Sequence, residues 1–66
     1  MNSKILRTEN DGVVKFADRL SGETLVTMTN RYGLYTFDTP GLHGVSLHTI
    51  KLAILALELA AREAAS

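Results

Sequence analysis

The spacing of apolar residues changes once along the chain. Before residue 39 the apolar residues come in short runs rich in valine, threonine and aromatics, broken by Asp-Gly, Ser-Gly and Tyr-Gly pairs. After residue 45 they recur with a helical period and no glycine or proline intervenes. β-branched and aromatic residues suit a pleated surface, and the glycine pairs supply turns. Strands are therefore expected at Lys4–Thr8, Val13–Asp18, Thr24–Asn30 and Leu34–Asp38, the first as a short edge strand. The turns between them are Glu9–Gly12, Arg19–Glu23 and Asn30–Gly33.

Two registers suit the last hairpin. A two-residue loop at Arg31-Tyr32 pairs Met28 with Tyr35 and Val26 with Phe37, which segregates apolar from polar side chains well. A three-residue loop closed by a bulge at Gly33 pairs Asn30 with Leu34 and turns Tyr35 and Phe37 to the other face. The first is preferred, because it gathers the large apolar side chains on one side.

Pro40, Gly41 and Gly44 break the pattern over residues 39–45, since proline donates no ladder hydrogen bond and glycine loosens the backbone. Ser46 is a natural N-cap, and every residue from Leu47 to about Ala65 suits a helix. The Glu58/Arg62 pair at i,i+4 supports it on the solvent side. The expected fold is α+β: one domain over 1–66, with an antiparallel meander of three to four strands within 4–38, a loop over 39–45 and one long C-terminal helix over 46–65 packed on the sheet.

That helix carries two apolar stripes. At 100° per residue, Leu47, Ile50, Ala53, Ile54, Leu57, Ala61 and Ala64 form a broad face, the expected cover for the sheet. Leu52, Leu55 and Leu59 form a second, narrower stripe at a/d spacing, flanked by Ala56 and Arg62. A single helix on a single sheet needs one buried stripe, so Leu52, Leu55, Leu59, Ala56 and Arg62 are the expected interface of a homodimer or of a larger protein partner. The expected core is Val14, Phe16, Val26, Met28, Tyr35, Phe37, Ile50, Ile54 and Leu57.

Composition adds the reason to expect a partner. A chain of 66 residues without cysteine has no disulfide staple, and domains of this size are marginal alone. Seven basic residues balance seven acidic ones, which disfavours a strongly basic nucleic-acid binder. The longest apolar run, Leu52–Leu57, is far short of the roughly 20 residues of a membrane span, and Met1–Thr8 holds no leader-like run. A cytoplasmic protein with no membrane association is expected.

Little chemistry is offered. His43 and His48 are five apart and share no helical face, so no metal site is expected among them and Asp38. Ser46, His48 and Asp38 lack any nucleophile elbow, and no glycine-rich phosphate loop is present. No catalytic residue and no cofactor is expected. Protein binding remains, by a small regulatory or inhibitory protein of the kind that phages and mobile elements encode against larger complexes. Arg31, Tyr32, Leu42 and His43 are candidate contacts, because Tyr and Arg at a turn tip are typical of binding hot spots. The alternative is a DNA-binding regulator reading through its sheet, with Arg7, Lys15, Arg19 and Arg31 as the contacts.

Overall fold

The computed structural model describes residues 4–66; Met1–Ser3, part of the segment in which no leader is expected, lie outside them. Strands β1 (Ile5–Asn10), β2 (Val13–Asp18), β3 (Thr24–Arg31) and β4 (Leu34–Asp38) form one antiparallel sheet in the order β1-β2-β3-β4, followed by helix α1 (Leu47–Ala65). This is the α+β meander with a C-terminal helix on the sheet that the pattern predicts. The Ser46 hydroxyl accepts the Thr49 N–H at 3.2 Å, capping the helix as expected.

Both two-residue hairpins use the same turn chemistry. Asp11-Gly12 and Tyr32-Gly33 each place two consecutive residues at positive φ, the requirement of a type I′ turn, whose twist matches the flanking strands. The loop of the last hairpin is therefore Tyr32-Gly33 and not Arg31-Tyr32, because the glycine belongs inside the turn. Met28 pairs with Phe37 and Asn30 with Tyr35, two residues from the preferred register. Side chains alternate with period two, so this slip leaves Tyr35 and Phe37 on the expected face.

A bulge breaks the alternation between β2 and β3. Phe16 pairs with Val26 and Ala17 with Thr24, leaving Leu25 as the extra residue. Leu25 and Val26, consecutive in sequence, are thereby both buried. The β2–β3 turn is tied by Asp18, whose carboxylate accepts the Leu20 N–H at 3.0 Å and the Ser21 hydroxyl at 3.1 Å.

The helix buries the arc between its two apolar stripes. The core comprises Ile5, Val14, Phe16, Leu25, Val26 and Met28 from the strands and Leu52, Ala53, Ala56 and Ala60 from the helix, with Leu55, Leu59 and Ala64 packed at its edge. Leu47 and Ile54 stand in water, Leu57 is exposed and Ile50 half-buried. The reason is volume complementarity. The sheet already presents large side chains, so the helix approaches closely on Ala53, Ala56 and Ala60, while Leu52 and Leu59 fill the flank beside them. The stripe proposed for a dimer seam is thus consumed within the chain at Leu52 and Ala56; of the broad face expected to cover the sheet, Ala53 is buried and Ala64 packs at the core's edge, while Leu47, Ile54, Leu57 and Ala61 are exposed.

The helix lies mainly over β2 and β3. No residue of β4 is buried, and Tyr35 and Phe37, expected in the core, are each 40% exposed. They fail to be covered because the alanine seam sets the helix over the middle of the sheet.

Candidate functional site

The two sheet edges differ in how the helix treats them. On the helix-facing side of β1, Arg7 donates to both carboxylate oxygens of Glu63 at 2.7 Å, and to Glu9 at 2.9 Å. This fork-to-carboxylate geometry straps β1 to the last turns of α1. Hydrogen bonding to Arg7 holds the Glu63 carboxyl below the ordinary glutamate range, and Glu63 and Glu9 raise the Arg7 guanidinium further. Among the described residues, no ion pair ties β4 to α1. Tyr35 and Phe37 stack there with centroids 6.4 Å apart and an interplanar angle of 19°.

The most exposed aromatic is Tyr32, at the tip of the β3–β4 hairpin. It is wholly in solvent, and its backbone sits at φ 55°. A non-glycine residue there meets a steric penalty that asparagine or glycine largely avoids. Beside it, Leu34 is 74% exposed on the opposite side of the sheet from the helix. With Tyr35, Phe37, Leu47, Ile54 and Leu57, it leaves the hairpin and the outer helix face as uncovered apolar surfaces, alongside Leu20 in the β2–β3 turn.

The candidate contacts fall in different places. Arg31 pairs with Leu34 next to Tyr32, so these two do form one tip. Leu42 and His43 are exposed in the loop before the helix, more than eight residues further along the chain. Arg62 is exposed on α1.

The residues named for nucleic acid do not assemble. Lys15 and Arg31 lie on the open face of the sheet, among Thr8, Thr27, Thr29 and Thr36. Arg7 lies on the other face, held by Glu63 and Glu9. Arg19 belongs to the β2–β3 turn, where its N–H donates to the Lys4 carbonyl at 3.1 Å. Two carboxylates thus occupy the one cation of the set that the helix covers.

A shallow cleft of about 250 Å³ is lined by Lys4, Asp18, Arg19, Leu20, His48 and Leu52. Asp18, not Asp38, is the carboxylate near His48, and this pairing was not legible in the sequence because it depends on how the helix start crosses the β2–β3 turn. The Leu20 N–H bond, then the Ser21 contacts and His48, hold the Asp18 carboxyl below its ordinary value. Among the described residues, no hydroxyl or thiol nucleophile lines the cleft and no cluster of three metal-ligating side chains occurs. No described helix is long and apolar enough to cross a membrane.

No family model matches the chain, and no curated protein or solved structure matches it.

Proposed function

We propose that the chain is a non-enzymatic protein-interaction module, a small regulatory or inhibitory protein whose partner is a larger protein. The observation that carries this reading is Tyr32. A bulky aromatic is held wholly in solvent, in a left-handed conformation, at a turn position where asparagine would stabilise the hairpin. Its side chain packs against nothing among the described residues that would repay that strain. Strained backbone positions persist where function holds them, and an exposed Tyr beside an Arg is typical of a protein-binding anchor. Leu34 next to Tyr32 extends the apolar surface at the hairpin tip.

Photo-cross-linking tests the reading. A benzoylphenylalanine replacing Tyr32 is compared with one replacing Glu58 on the exposed helix surface, in cells that naturally express the protein. The expected result is one defined protein adduct specific to position 32, and loss of copurification of that protein with Tyr32→Asn. Identical adduct patterns from the two positions, or copurification unaffected by Tyr32→Asn, would overturn it.

A further inference from the structure

Strand β4 is an edge strand without the usual guards. The other edge, β1, carries Arg7 and Glu9 on its helix-facing side, paired with each other, and Arg7 also pairs with Glu63 of α1. Charged and covered edges resist pairing with another chain. Along β4, by contrast, Leu34, Tyr35, Thr36 and Phe37 carry no charge, and Asp38 stands at the end. There is no bulge against β3 and no proline within the strand.

The hairpin determines which backbone groups are free. Arg31 and Leu34 close a two-residue loop and so exchange hydrogen bonds; the alternation then turns Leu34, Thr36 and Asp38 toward β3. Tyr35 and Phe37 turn their N–H and C=O groups outward. Free groups on odd-numbered residues restrict an antiparallel self-pairing to a few registers.

We propose that β4 pairs antiparallel with β4 of a second copy, about a two-fold axis through Thr36, to give a continuous eight-stranded sheet. In this register Tyr35 of one protomer faces Phe37 of its partner, and the two pairs exchange four backbone hydrogen bonds. The Tyr35/Phe37 stacks of both protomers then meet as cross-strand aromatic pairs on the helix side, where the helix leaves them bare. On the open face, Leu34 sits opposite Asp38 of the other copy. Arg31, which pairs with Leu34 in its own chain, lies in the same row as that Asp38. Two strand spacings, about 10 Å between backbones, separate them, within reach of an extended arginine and an aspartate lying across Leu34. Neither side chain has an ion-pair partner within the described residues of its own chain. The edge is thus complementary to itself in backbone, aromatic packing and charge, as an isologous interface requires. This self-pairing stands apart from the hetero-partner contact at Tyr32.

The test uses the full chain, with sedimentation across a concentration series and amide exchange followed residue by residue. The expected result is a monomer–dimer equilibrium in which the Tyr35 and Phe37 amides slow by about tenfold or more as the dimer fills, while those of Arg7 and Glu9 on the β1 edge do not. Thr36 faces itself across the axis, so Thr36→Lys and Thr36→Glu each give a folded monomer, and mixing the two restores a dimer of one copy of each. A wild-type monomer at millimolar concentration would overturn the inference. So would a dimer whose Tyr35 and Phe37 amides stay unprotected, or lysine and glutamate variants that fail to recombine. None of these outcomes touches the cross-linking result at Tyr32.

Discussion

The choice of buried helix face is tested most directly by two truncations of neighbouring residues, Leu52→Ala and Ile54→Ala. Leu52 is 5% exposed and Ile54 is 52% exposed, two positions apart on the same helix. Truncating leucine to alanine removes three carbons. At about 0.8 kcal/mol per buried carbon this loses about 2.4 kcal/mol of transfer energy, and the cavity left behind raises the cost to about 3 kcal/mol. Alanine's better helix propensity returns only about 0.2 kcal/mol. At Ile54 half the surface is already in water, so the transfer loss is about 1 kcal/mol, and the propensity gain offsets about 0.4 kcal/mol of it. The expected difference between the variants is about 2 kcal/mol. A domain of this length has a total stability on the order of 3–10 kcal/mol, so that difference is a large share. Urea denaturation followed by helical circular dichroism measures it, at one protein concentration, with unchanged m-values confirming a common reference. If Ile54→Ala destabilises as much as Leu52→Ala, the helix buries its broad face and the packing described here is wrong.

Three further outcomes follow from the same geometry. Tyr32→Asn relieves the left-handed strain and loses no intramolecular packing, so thermal denaturation shows a gain of about 1 kcal/mol; a loss would mean that Tyr32 packs somewhere in its own chain. Ala56→Leu forces a large side chain into the closest helix–sheet contact and costs about 2 kcal/mol, whereas Ala61→Leu on the exposed side changes stability by less than about 0.5 kcal/mol in the same assay. Glu63 and Asp18 both have carboxyls held below their ordinary values, so the stability they supply is complete above those ordinary values and is lost as the pH falls through the lowered ones. Denaturation midpoints therefore decline below about pH 4.3. Glu63→Gln, which removes the Arg7 pair at a cost of about 0.5 kcal/mol near neutral pH because both groups are partly exposed, makes that decline shallower; an unchanged profile would refute the strap.

The element order was legible because local chemistry dictates it. Asp11-Gly12 and Tyr32-Gly33 supply the left-handed turn residues, Ser46 supplies the cap, and the uninterrupted run after it has no alternative to helix. The faces of the strands were legible too, because a period of two survives a register error of two. Thr36 and its neighbours on β4 could be assigned a side of the sheet even with the loop misplaced by one residue.

What the chain alone did not determine was which face of the helix turns inward. Both stripes are apolar, and a hydrophobic pattern ranks faces by their own content without knowing the shape of what they meet. The larger stripe looked like the core face. The tertiary structure turned inward the alanine seam between them, because Val14, Phe16, Leu25, Val26 and Met28 already fill the sheet side and leave room for the alanines 53, 56 and 60. The same close approach sets α1 over β2 and β3, and so leaves β4 and its Tyr35/Phe37 stack uncovered. Periodicity is a property of one element and is written in it; the fit of volumes belongs to two elements at once and exists only after they have met.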